Sequence, residues 1–97
     1  MSASVDRIIA ATATAFEVSP EELRGASRSR SVARARHVAM ALTREITGAS
    51  YPEIGRAFRR DHSTVLDGVR RVELLVERDA RVAGLVDALR VELEGGA

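Results

Sequence analysis

The 97 residues are 45% hydrophobic with only three aromatics and no cysteine, so the core must be aliphatic, and disulfide scaffolds and thiolate metal sites are excluded. This length makes one domain, residues 1–97, with a single modest core. No apolar run approaches a membrane span and the N-terminus lacks a charged-then-hydrophobic signal, so a cytoplasmic protein with no membrane partner is expected. The net charge of +1 by itself points to no nucleic-acid partner, yet it hides a strong segregation. Residues 24–71 hold eleven arginines against four acids, while each flanking segment carries a surplus of three acids. A basic middle between acidic ends is the footprint of a polyanion-binding face on a scaffold. Every basic residue is Arg, the side chain that bonds phosphate and guanine in bidentate fashion.

Val5, Ile8, Ile9, Thr12 and Phe16 recur at helical spacing behind Ser4, which predicts a capped first helix serving as scaffold. Ser19-Pro20-Glu21-Glu22-Leu23 repeats the start signal, with Gly25 ending a single-turn helix. From Gly25 to Ser31 the chain turns polar, with Arg28 and Arg30 and no apolar anchor. Two readings stand: a solvated linker, or an arm whose Arg28 reaches into a minor groove. Ser31 is expected to cap the longest helix, which ends where Thr47 meets Gly48, with Val32, Ala35, Ala39, Leu42 and Ile46 facing the core. Arg30, Arg34, His37, Ala41 and Arg44 form a stripe on another side. Three of its members are arginine and none is acidic, which favours phosphate contact over a plain solvated face.

The stretch from Ser50 to Arg71 organises the rest. Ser50 and Glu53 make a capping-box pattern with Pro52 near the first helical position, and Ile54, Ala57 and Phe58 form a short apolar stripe. Arg59 and Arg60 interrupt it. Asp61 or its predecessor caps a second helix running to about Glu77, with Val65, Val69, Val72 and Val76 buried. A last helix places Val82, Leu85, Val86, Leu89 and Leu93 on one face and ends at Gly95-Gly96; its acidic outer face marks it as packing support. No period-two alternation exists, so the fold class is all-α, a small bundle of five to six helices containing a helix-turn-helix.

Asp61-His62-Ser63 has the residue types of a nucleophilic triad, but consecutive helical residues diverge and cannot relay a proton. His37 and His62 have no cluster of ligands around them and no glycine-rich phosphate loop is present, so no enzyme, metal or cofactor is expected. As a DNA reader the same tripeptide is coherent. Asp61 can accept from cytosine N4, His62 can bond a base or phosphate, and Ser63 and Thr64 can bond phosphate or pack on a thymine methyl. Plain capping by Asp61 and plain surface exposure of Thr64 are compatible with those roles. The rival from another class is a helical protein-interaction module whose basic face docks an acidic partner.

From about Val5 to Leu93, and most sharply in R-S-R-S-V-A-R-A-R-H-V-A-M-A-L-T-R-E-I-T and P-E-I-G-R-A-F-R-R-D-H-S-T-V-L, the chain resembles the C-terminal DNA-binding domain of the bacterial replication initiator DnaA. The resemblance implies double-stranded DNA carrying a box of the TTATCCACA type as the partner. It implies Arg28 in the minor groove, Asp61, His62 and Ser63 reading bases in the major groove, and Thr64, Arg36, His37, Arg44 and Pro52 along the backbone or groove wall. Arg30, Arg34, Arg59, Arg60 and Arg71 complete the expected DNA-binding set. The chain departs from the family pattern in four places: Arg59 where glycine is usual, Ser63 for Thr, His37 for Gln and Asp67 for His or Tyr. An altered box preference with DNA binding retained is the expectation. Family initiators carry an ATPase domain ahead of this one, whereas here Met1 directly precedes the first helix. A complete chain is expected to be a free-standing box binder, and a cut one an origin-binding domain.

Overall fold

The computed structural model describes residues 4–95. Among them six helices and no strand occur: α1 Val5–Phe16, α2 Pro20–Arg24, α3 Arg30–Thr47, α4 Tyr51–Phe58, α5 His62–Arg78 and α6 Ala80–Gly95. No helix among these residues is long and apolar enough to cross a membrane. Gly96, expected with Gly95 to end the last helix, lies outside the described residues.

Short polar side chains set the starts. Ser4, Ser19, Ser29 and Ser50 accept from the backbone N–H groups of Arg7, Glu22, Val32 and Glu53 at 3.2, 3.1, 3.2 and 3.2 Å. Each bond satisfies a donor that the helix itself leaves unpaired. At Ser19 and Ser50 the box is complete, because Glu22 and Glu53 accept in return from the cap N–H, both at 2.9 Å. The third helix starts two residues earlier than expected. Ser29, not Ser31, is its cap, and Arg30 and Ser31 lie in the first turn. The loop before it is therefore residues 25–29.

α3 lies at the centre and packs on all five other helices. Its Val32, Ala35, Ala39 and Met40 join Ile9, Ala13, Leu23, Ile54, Phe58 and Val65 in one apolar cluster beneath α4 and the start of α5. Its Val38 and Leu42 join Ile8, Val72, Val82, Val86, Leu89 and Leu93 in a second, under α6. Val69 and Val76 sit at the edges of the two clusters, and Leu85, expected in the core, is only half-buried. Two clusters threaded by one helix fix α5 along its whole length, with Val65 in the first and Val72 in the second. The exposed start of α5 therefore projects from a rigid base.

The connection between α4 and α5 is three residues long, Arg59 to Asp61. Arg59 N–H donates to the Arg56 carbonyl at 3.4 Å and Arg60 N–H to the Gly55 carbonyl at 2.8 Å, with Arg59 in the left-handed region at φ 57°, ψ 44°. This double closure ends α4 sharply and turns the chain toward α5. It brings the Arg60 carbonyl so close to Gly55 that a Cβ there would collide with it. Left-handed backbone costs an L-residue roughly 1–2 kcal/mol, and Arg59 bears that cost where glycine would not. Arg59→Gly is expected to raise stability by about 0.5–1 kcal/mol after the flexibility glycine adds to the unfolded chain. The check is a higher urea midpoint at unchanged m-value.

Candidate nucleic-acid interface

Asp61 caps α5, its carboxylate accepting from Ser63 N–H at 3.2 Å and also from the Ser63 hydroxyl. These two bonds, the hydroxyl first, hold the Asp61 carboxyl below the usual carboxylate range, so it stays ionised as an acceptor. With its proton directed at Asp61, the Ser63 hydroxyl offers lone pairs outward. The His62 Nδ1 lies 3.7 Å from Asp61, with the two side chains 64% and 65% exposed. Ser63 and Thr64 are exposed as well, so all four residues of this expected reading turn meet solvent together.

The neighbouring elements α3 and α4 carry cationic groups held by different means. Arg44, at the C-terminal end of α3, stacks 4.7 Å above the ring of Tyr51 and donates through Nη1 to the Ala49 carbonyl at 2.8 Å. The ring face and the carbonyl together keep the guanidinium beside the start of α4, where Pro52 is exposed. The Tyr51 contact is invisible in the sequence, since its partners come from different elements. Arg56, absent from the expected set, stands four residues after Pro52 on the same exposed side of α4, and Arg59 is exposed at its end. A one-turn spacing from Pro52 is the signal that could have found Arg56.

The arm is not a free tether. Arg36, expected at the groove wall, is 6% exposed and points inward. Its Nε donates to the Leu23 carbonyl at 2.8 Å and its Nη2 to those of Glu22 at 2.9 Å and Gly25 at 3.1 Å. Both terminal nitrogens also reach the Ser27 carbonyl at 3.3 Å. Arg60 converges on the same segment, its Nη2 donating to the Gly25 carbonyl at 2.6 Å and its Nη1 to the Phe58 and Arg59 carbonyls at 3.1 and 3.2 Å. Arg28 is exposed on the loop so fixed, at the edge of a hollow of about 480 Å³ shared with Ser27, Arg36 and Arg60. Burial, and secondly the nearby Arg60 charge, pushes the Arg36 pKa down. The position of Arg36 is readable from spacing: it is four residues from Val32 and Met40 and seven from Thr43, all buried, so it sits within the core-facing arc.

Arg30, Arg34 and Arg71 gather elsewhere, along the groove between α3 and the C-terminal half of α5. Arg71 Nε donates to Asp67 at 2.8 Å and Arg34 lies 3.9 Å from Asp79. His37 is half-buried in the same groove, its ring packed against Gly68, where a Cβ would come within 2.9 Å of His37 Cδ2. Burial first, then the Arg71 and Arg36 charges, pushes this imidazole below its ordinary range against a smaller opposing pull from Asp67. The structure thus sets the α5 start directly after the turn that carries Arg59, places Arg28 on the loop that Arg36 and Arg60 hold, and gathers Arg30, Arg34, His37 and Arg71 in a separate groove. Arg28, Arg34 and Arg36 do not share one face. Among the described residues no three His, Cys, Asp or Glu side chains gather as a metal site would require.

Six helices with a tight turn before an exposed, polar helix start define a helix-turn-helix module of the DNA-binding class. Residues 5–72 match the family model described as the bacterial dnaA protein helix-turn-helix. The chromosomal replication initiator proteins DnaA of two strains of Thermus thermophilus are each 48% identical to the chain over 84 residues, which is 86% of this chain and 19% of theirs. The chain belongs to the DnaA C-terminal helix-turn-helix family, and it spans about a fifth of the length of these curated relatives.

The groups that face inward have measurable consequences for stability. Arg36→Met removes the guanidinium donors to the Leu23 and Ser27 carbonyls and one of the two donors to each of the Glu22 and Gly25 carbonyls, and is expected to cost about 1–3 kcal/mol in urea unfolding, with Arg36→Lys recovering only part of it. For His37 the folded pKa lies below the unfolded one, so the unfolded chain takes up the proton first as pH falls. Stability should therefore decline as pH drops below the ordinary imidazole value of about 6.5. His37→Gln should flatten that decline relative to the parent chain when unfolding is measured between neutral and mildly acid pH.

Proposed function

We propose that the chain binds duplex DNA sequence-specifically at sites of the DnaA-box type, without catalysis, in replication initiation or its control. The observation that carries this reading is the exposed first turn of α5, Asp61 to Thr64, raised on a rigid base directly after the turn that carries the exposed Arg59. In this reading the α5 start enters the major groove, where Asp61 accepts from an amino group and His62 and Ser63 contact base edges. Thr64, Arg44, Arg59 and the free edge of Arg60 contact phosphates, with Pro52 against the groove wall. Arg28 enters the adjacent minor groove. Arg36 contributes by holding the arm. Arg30, Arg34, His37 and Arg71 line the side groove, three of them within reach of an acidic neighbour, and contribute less than the charge stripe of α3 suggests. Support comes from family membership and from the same signature residues standing exposed together.

Fluorescence anisotropy with a box duplex and a scrambled duplex across a salt series tests the reading. The box duplex should bind more tightly, with affinity falling steeply as salt returns counterions to the phosphates. Asp61→Asn, which keeps the cap, and His62→Ala should each narrow the specific-to-scrambled ratio, by about 1–3 kcal/mol for a lost bidentate contact. Arg28→Ala should lower affinity mainly for boxes with an A/T-rich start. Equal, negligible binding to both duplexes at low salt would instead favour a module that docks an acidic protein.

A further inference from the structure

Two large hydrophobic side chains stand out of the described surface, Leu74 at 50% and Val91 at 71% exposure, and their surroundings carry opposite charge. Leu74 lines the groove between α3 and α5, about 450 Å³, together with Arg30, Arg34, His37, Arg71 and Arg78. Asp67 and Asp79 neutralise Arg71 and Arg34 there, but Arg30 and Arg78 make no ion pair among the described residues. Val91 stands on the outward ridge of α6. Asp87 and Glu94 are one turn away on either side of it and Glu92 is adjacent, all exposed. Arg90 pairs with Asp87 at 2.8 Å, while Glu92 and Glu94 have no ion-pair partner among the described residues. Gly84, two turns before Val91, leaves open space on the same ridge.

The groove is a concave basic surface with an apolar spot, and the ridge a convex acidic surface with one. They also lie toward opposite ends of the molecule. The groove adjoins the start of α3 through Arg30 and Arg34, whereas the ridge adjoins its far end, where Arg90 Nε donates to Glu45 at 2.7 Å. At about 1.5 Å per helical residue, positions 34 and 45 of α3 are some 16 Å apart. One copy therefore cannot close groove on ridge within itself. We infer that the α3/α5 groove receives the α6 ridge of a second copy of this chain, joining copies head to tail.

In that contact Val91 packs on Leu74, and Glu92 and Glu94 of one copy face Arg30 and Arg78 of the next. Each charged group without a partner in the single chain thereby gains one. Because groove and ridge are different surfaces, the contact is heterologous and leaves one groove and one ridge free at the ends, so it can propagate. Charge pairing at an exposed rim makes it sensitive to salt. The inference uses neither the α5 start nor the arm, and shares with the DNA reading only groove residues to which that reading gives a minor part.

Sedimentation of the full chain without DNA, up to ~1 mM and at low salt, tests it at the weak end of specific association. The weight-average mass should climb above the 10.5 kDa of one chain and fall back at high salt. Leu74→Glu places an anion in the groove and Val91→Arg a cation on the ridge. Both sites are exposed, so both variants should keep the parent helical spectrum. Each variant alone should remain at the mass of one chain. Mixed in equal amounts they should recombine above the mass of one chain, because the intact ridge of the first fits the intact groove of the second. A parent chain of constant mass would overturn the inference, as would variants that assemble like the parent or a mixture that fails to recombine. A constant-mass parent whose Leu74→Glu variant loses duplex affinity would assign the groove to DNA instead.

Discussion

The carbonyl oxygen of Gly25 accepts from two guanidinium groups at once, Arg36 at 3.1 Å and Arg60 at 2.6 Å, with no carboxylate between them. Two like charges held this close repel, and Arg36 in addition loses most of its water. What holds them is the set of carbonyls at the end of α2 and along residues 25–27, among which those of Leu23 and Ser27 have no other protein donor. Bonds from a charged donor to such acceptors are worth about 1.5–3 kcal/mol each, enough for several of them to offset the desolvation and the repulsion. The consequence is geometric. Arg36 belongs to α3, Arg60 to the turn and Gly25 to the arm, so one carbonyl ties the arm to the helix-turn-helix. A loose segment would lose about 1–2 kcal/mol per residue in ordering when it met a strand; here that ordering is already complete in the folded chain.

The turn shows the same preference for fixed geometry over lowest energy. Arg59 occupies left-handed backbone that glycine would adopt without strain, and Glu17 does the same at the end of α1. At Glu17 nothing in the proposed function explains the choice. At Arg59 the side chain adds an exposed cation at the corner between α4 and α5, beside the reading turn. A glycine there would relax the backbone and remove the cation together, so under the proposed DNA reading stability and polyanion affinity pull this position in opposite directions.

Most of the scaffold is legible in the sequence because its signals are local. The capping boxes at Ser19 and Ser50, the Asp61 cap and the apolar spacing of α1 and α5 each act within one or two turns, and the structure has them where the sequence puts them. The start of α3 differs for a physical reason: Ser27, Ser29 and Ser31 are equally good caps by chemistry. Arg36 and Arg60 select among them by fixing the Gly25 and Ser27 carbonyls, and that choice is tertiary. Arg36 itself escapes a charge count, which treats every arginine as solvent-facing, although its spacing to Val32, Met40 and Thr43 marks it as inward. The division of the α3 stripe, with Arg44 near α4 and Arg30, Arg34 and His37 against α5, follows from how α3 crosses α5 and leaves no trace in the periodicity.

The surplus of seven arginines over acids in the middle of the chain therefore overstates the field a polyanion would meet. Arg36 is buried among carbonyls, Arg24 pairs with Asp6, Arg71 with Asp67, and Arg34 lies near Asp79. Two of those acids, Asp6 and Asp79, come from the acidic flanks, so the flanks neutralise part of the basic middle across the fold. What remains is uneven in a useful way. Arg28 and Arg59 are exposed, and Arg44 is held by the Tyr51 ring and one carbonyl with its other donors free. A guanidinium fixed on one edge and open on the other loses little freedom on meeting a phosphate. Of these exposed guanidiniums Arg44 is the one fixed in this way, whereas Arg28 and Arg59 are placed by the backbone of the loop and turn that carry them.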